Sequence, residues 1–294
     1  MPSDPARAAA PSDPPRVAYV AGYWRLPGNA KRPAEHYQEQ IPRSLAMIAG
    51  QPLRLFHDDE ETARHFAALC DPLGIALHAE RIPVEALPAF AHAEAYVAAC
   101  RAMPRAGAGA VPARNSEKGH VHYIRDLIGS GEATYRALLA IWLSKVALAA
   151  RVAADPPAGA AFVAWMDVSV ARFSGQRTNW DFPRQPFAPA ALNHYASPMR
   201  YLGARLPLNA SLMLATPEVW TEVALAFEAQ LLASRSDAYA HDEETLLGLV
   251  HRRRPELFHT LGVPNVVLEA DAAPRSRRLV RALKRRLAAV VGRG

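Results

Sequence analysis

The run Phe162-Val163-Ala164-Trp165-Met166-Asp167-Val168-Ser169-Val170, FVAWMDVSV, decides how this chain is read. The apolar residues ahead of Asp167 have the length and composition of a buried strand. A carboxylate in such a run costs free energy unless something pairs with it. Asp167 therefore either caps the strand at a solvated end, bonding to loop amides, or holds a cation or a substrate there.

Strand and helix signals alternate on both sides of this run. RVAYVAGYW (16–24) reads as a first strand and the polar LPGNAKRP as a loop after it. EHYQEQIPRSLAMIA (35–49) reads as a helix that Pro42 must kink or begin, with Gly50 ending it. LRLFHDD (53–59) is a second strand ending in acid, and Asp58 or Asp59 can cap the helix EETARHFAALC that follows. IALHAERI (75–82) is a third strand, a helix covers 90–103, and 104–120 forms a long loop. From Glu132 to Ala154, Tyr135, Leu138, Leu139, Trp142, Val146 and Ala149 recur at helical spacing. SLMLA (211–215) is a strand, Thr216 and Pro217 open a helix, another helix starts near Asp242, and VPNVVLEA (263–270) is a last strand. The alternation predicts an α/β fold with helices on both faces of one sheet, a single domain over 16–271. Ligands of such sheets collect at the carboxyl ends of strands, where Asp58 and Asp167 both fall.

Of the 294 residues half are apolar, enough for one large core. No unbroken apolar run has the length of a membrane span, and the start, MPSDPARAAAPSDPP, lacks the apolar stretch of a signal peptide. Residues 1–15 read as a disordered tail. The two cysteines, Cys70 and Cys100, suggest neither a disulfide framework nor a zinc site, and the expected compartment is a reducing cytoplasm. The net charge of +6 is concentrated in RSRRLVRALKRRLAAVVGRG (275–294), which has eight basic residues and no acid, so the rest of the chain is slightly acidic. Leu279, Leu283, Leu287 and Val290 form one stripe there, and 272–294 reads as a basic amphipathic helix for an anionic membrane surface. An RNA-binding arm or a solvated tail are the rival readings, and the acidic remainder argues against nucleic acid.

Four stretches in order resemble the bacterial HtrL/YibB-type family, whose fold is of the nucleotide-diphospho-sugar transferase (GT-A) type. They are VAYVAGYWRLPG followed by HY, LRLFHDD, SKVALAARVAADPPAGAAFVAWMDVSVAR, and AHDEETLLGLVHRRRPELFH, together covering roughly 17 to 262. The resemblance implies a GT-A-like mixed sheet and a glycosyltransferase that moves a sugar from a nucleotide-diphosphate donor to an acceptor hydroxyl. The acceptor would be a surface polysaccharide or a lipid-linked glycan, and the protein would sit peripherally at the inner face of the membrane. Asp167 would match the acidic motif that holds the donor diphosphate and a metal, Mn2+ or Mg2+. The usual motif is Asp-x-Asp, and here Ser169 takes its third position. Ser169 and His259 would complete the metal site; otherwise His259 is a half-buried loop histidine. Asp58 would meet the ribose or base, or serve as the helix cap. Tyr19 and Tyr23 would line the base, or simply pack. Arg25 would reach a phosphate, or lie on the surface. Lys145 would extend toward the diphosphate, or snorkel from the edge of a core helix. Asp242 or Glu243 would be the base that takes the acceptor proton, or both are helix-start residues. A different class stays open: a non-catalytic nucleotide- or glycan-binding member of the fold, with Ser169 marking a degenerate metal site.

Overall fold

The computed structural model describes residues 16–29, 32, 34–102, 126–172, 187–197, 200–201, 204–236 and 242–262. The proposed tail at 1–15, the loop at 104–120, the strand at 263–270 and the basic helix at 272–294 lie outside them. In order these are β1 (Val17–Tyr23), α1 (Ala34–Ala46), β2 (Pro52–His57), α2 (Glu60–Cys70), β3 (Ala76–Arg81), α3 (Phe90–Ala102), α4 (Glu132–Ala154) and β4 (Phe162–Met166). Then come β5 (Leu192–Tyr195), β6 (Arg200–Tyr201), β7 (Ala204–Arg205), β8 (Asn209–Ala215), α5 (Pro217–Ala233), α6 (Glu243–Arg253) and β9 (Phe258–Gly262).

Seven strands form one mixed sheet in the order β3-β2-β1-β4-β8-β5-β9, and β6 pairs with β7 apart from it. The four strands β3, β2, β1 and β4 run parallel. β8 lies antiparallel between β4 and β5, and β9 runs parallel to β5. Parallel neighbours need a crossover, which α1 and α2 supply between the first three strands. Helices cover both faces, as the alternation predicted. Val17, Tyr19 and Ala21 of β1 bury one face with Ile41 and Leu45 of α1 and Phe66 of α2. Ala18 and Val20 bury the other with Tyr96 of α3, Leu139 and Leu143 of α4, Phe227 of α5 and Leu246 of α6. The same two-residue period on β4 sends Phe162, Ala164 and Met166 to the first face, and Val163 and Trp165 to the second.

Of the two expectations for Pro42, a kink or a helix start, the second is excluded: α1 runs through it. The proline forfeits one helical bond at a cost of about 3 kcal/mol, and the burial of Ile41 and Leu45 on either side holds the helix against that loss. β5 and β9 were not foreseen: LNHY and FHTLG are too short to show a period. Helix α4 is long and apolar enough to cross a membrane by length and composition, yet 72% of its most apolar window is buried against the sheet and its neighbours.

Candidate active-site cleft

The parallel strands β1, β2 and β4 end on one edge of the sheet, at Tyr23, His57 and Met166. A small open cleft, with a cavity volume of about 70 Å³, lies there. Gly22 and Tyr23 bound it from β1, Leu138, Trp142 and Lys145 from α4, and Arg32 and Tyr37 from the segment after β1, with Trp165, Asp167 and Ser169 on the β4 side. Gly22 is needed for space. A Cβ there would meet the Trp24 ring at 2.3 Å and Trp165 at 3.2 Å.

Asp167 follows the last residue of β4, where the chain turns: the Val170 amide donates to the Asp167 carbonyl at 2.9 Å. Strand parity places Asp167 on the same face as Val163 and Trp165, which is the face covered by α4. Its carboxylate meets three donors. Lys145 Nζ lies 2.8 Å from Oδ1, Trp165 Nε1 donates to Oδ1 at 3.1 Å, and an Arg172 guanidinium nitrogen lies 3.4 Å from Oδ2. Burial pushes this carboxyl up, but Lys145 and then Arg172 outweigh it and hold it well below the usual carboxylate range. Lys145 is itself buried and makes a second ion pair, 2.6 Å to Glu243 Oε1 at the start of α6. Burial disfavours its ammonium, and Asp167 and Glu243 reverse that and raise its pKa. Lys145, Asp167 and Glu243, from three distant parts of the chain, thus form one ionic unit at the cleft.

Ser169 is the second centre. Its hydroxyl oxygen accepts from Arg172 at 2.8 Å and from Arg32 at 3.1 Å. Arg172 also donates to the Ser169 carbonyl at 2.8 Å and to Ser211 Oγ at 2.5 Å. Burial and the neighbouring Arg32 charge bring Arg172 down to about 10, still a cation at neutral pH.

The other sequence-predicted residues divide clearly. Asp59, not Asp58, caps α2, accepting from the Thr62 amide and hydroxyl at 2.7 Å each. Asp58 is left at the end of β2, and its Oδ1 is buried without a hydrogen-bond partner among the described residues. Burial raises its pKa, and so does its contact with Asp59. It is close enough to the Tyr23 phenol to shift it, and Tyr23 lines the cleft with its ring 5.3 Å from that of Tyr37. Tyr19 does not line the cleft: it points to the opposite face and is 1% exposed in the core. Arg25 does not line the cleft either. It pairs instead with Asp59 at 3.6 Å and Glu61 at 3.0 Å, because its side chain turns toward the acidic first turn of α2. Asp242 caps α6 through the Thr245 amide at 2.8 Å, so of the two base candidates Glu243 is the one joined to the Asp167 unit. Glu244 accepts from Ser197 Oγ at 2.9 Å and the Ala210 amide at 3.1 Å.

The expected metal set does not come together. His259 on β9 is in register with Asn193, which faces Leu214, which faces Ala164 of β4. Three strand spacings, about 14 Å, separate β9 from β4. Asp167 and Ser169 already bind cationic side chains, and no cluster of three His, Cys, Asp or Glu suited to a metal exists among the described residues. A hard divalent ion takes several oxygen ligands, and the described residues do not bring such a set together. Arg32 and Arg172 were not singled out in the sequence. Arg172 had a signal, a basic residue one helical turn beyond Ser169; Arg32 had none, being one of several basic residues in a polar loop.

No family model matches the chain, and no curated protein matches it. Among solved structures it is similar to mouse xyloside xylosyltransferase 1 in its apo form, with 16% sequence identity and a TM-score of 0.42 over 83% of this chain and 84% of that one.

Proposed function

We propose that this protein is a glycosyltransferase that moves a sugar from a nucleotide-diphosphate donor to an acceptor hydroxyl, with the cleft at Asp167 as its active site. One observation carries the reading. Stretches that resemble the sugar-transferase family, far apart in sequence, meet around one strand-end cleft: Tyr23 and Tyr37 of the first and Lys145, Asp167 and Ser169 of the third line it, Glu243 of the fourth joins them through Lys145, and Asp58 of the second is near enough to shift Tyr23. In this reading Tyr23, Tyr37 and Asp58 receive the nucleoside, the tyrosines by stacking and Asp58 through its unpartnered oxygen. The cations around Asp167 and Ser169 receive the diphosphate. The bond between the sugar's anomeric carbon and the diphosphate oxygen breaks, and a bond from that carbon to the acceptor oxygen forms. The acceptor proton passes to a carboxylate, for which Glu243, ion-paired with Lys145 at 2.6 Å, is the residue. The cationic pocket stabilises the charge that develops on the leaving diphosphate.

A surface-polysaccharide or lipid-linked acceptor and a place at the inner membrane face belong to the same proposal, and rest on the basic amphipathic pattern of 275–294. Vesicle flotation tests that part: binding to anionic but not neutral vesicles supports it, and equal recovery with both sinks it. The non-catalytic reading draws on Ser169 in place of a second acid. A thermal-shift screen of nucleotide sugars tests the main proposal. Stabilisation by one base class, lost in Asp167→Ala, is the expected result. A flat response across all bases would remove the donor site.

A further inference from the structure

Ser169 occupies the position where a second carboxylate would share a metal with Asp167, and two guanidiniums share its hydroxyl instead. Two like charges on one oxygen repel each other, and an anion with several oxygens relieves that repulsion. Arg32 lines the cleft, while Arg172 stands behind Ser169 and also holds Asp167 Oδ2 and Ser211 Oγ. Guanidinium forks match phosphate oxygens two at a time and stay charged at neutral pH.

We propose that Arg32 and Arg172, joined through Ser169, stand in place of a divalent ion and receive the donor's diphosphate without metal. Arg32 is the direct phosphate contact. Arg172 is a positioning residue that keeps Asp167 and Ser169 engaged, so that neither is offered to an ion. The inference rests on the glycosyltransferase reading of the cleft. It differs from that reading in what it requires: the diphosphate must bind when every divalent ion has been removed.

Titration calorimetry on the full chain tests this with UDP, GDP, ADP, CDP and inorganic pyrophosphate, in excess EDTA and again with MnCl2. The expected result is that one nucleoside diphosphate binds in EDTA with an affinity within about twofold of that in manganese. Arg32→Ala weakens it about tenfold or more while the thermal midpoint holds. Arg172→Ala releases Asp167 Oδ2 and one of the two guanidiniums on Ser169, so manganese strengthens binding in that variant and not in the wild type. Binding that appears only with manganese overturns the inference and leaves the transferase reading standing. Unchanged binding in Arg32→Ala, or an Arg172→Ala protein weakened but indifferent to manganese, overturns the corresponding role. No binding of any probe in either condition sinks both the inference and the reading on which it rests.

Discussion

Replacing Lys145 with Met isolates the ionic unit, since methionine keeps the length and apolar stem and removes only the charge. In the native protein the ammonium sits 2.8 Å from Asp167 and 2.6 Å from Glu243, with side-chain exposures of 6%, 17% and 8% in that order. After the change Asp167 keeps Trp165 and Arg172. Glu243 loses its 2.6 Å cation in a buried setting. Removing one partner of a buried pair costs about 3–5 kcal/mol, which at about 2–4 °C per kcal/mol lowers the thermal midpoint by about 6–20 °C. The pH dependence carries the diagnosis. Native Lys145 has a raised pKa, so its stabilisation is complete below the unfolded lysine value near 10 and is lost only as pH climbs through the folded value. Across neutral pH the native protein is therefore insensitive to it. In the variant a buried carboxylate lacks its cation and its folded pKa rises, so the folded state binds more protons than the unfolded one. The deficit then shrinks as pH falls toward the unfolded carboxylate value near 4. Urea unfolding at several pH values measures this directly. A loss below about 1 kcal/mol, independent of pH, would mean that Lys145 is a solvated charge and the ionic unit does not exist.

Gly22→Ala drives a methyl into the Trp24 ring and lowers stability by about 1–3 kcal/mol; unchanged urea midpoint and tryptophan emission would contradict the packing described. Asp59→Ala removes the α2 cap and costs about 1 kcal/mol without weakening donor binding, whereas Asp58→Asn leaves stability near native and weakens nucleoside binding; the reverse pattern in paired unfolding and calorimetry would exchange the two roles. Asp167 has a depressed pKa, so its stabilisation is present above the unfolded value near 4 and is lost as pH falls further. The native protein should therefore lose more stability below about pH 4 than Asp167→Asn does, and parallel acid-unfolding curves would contradict the pairing.

The sheet was legible because its first half is built from long signals. VAYVAGY and FVAWM are buried on both faces and read as apolar runs, and α4 carries a helical period over many turns. Asp167 was legible as the one charge breaking such a run, and Lys145 as a charge on the stripe of a core helix. Its partnership with Glu243 was not, because 98 residues separate them and no local pattern records the contact. Asp58 and Asp59 are chemically equivalent in sequence, and only the turn geometry after β2 decides which one caps. Arg25 and Tyr19 lie away from the cleft for a related reason: the direction of each side chain is set by a neighbour, the α2 acids in one case and strand parity in the other. Ser169 read either as a member of a metal site or as the mark of a degenerate one, and its observed partners, Arg32 and Arg172, come from two segments whose meeting no spacing predicts.

The most direct measurement of the central claim is release of nucleoside diphosphate from a panel of nucleotide sugars, followed over time for the wild type, Asp167→Ala and Glu243→Gln. The account predicts slow release from donors of one base class by the wild type, abolished in the first variant and reduced in the second. Release that is equal in all three proteins, or absent from the wild type with every donor, contradicts it.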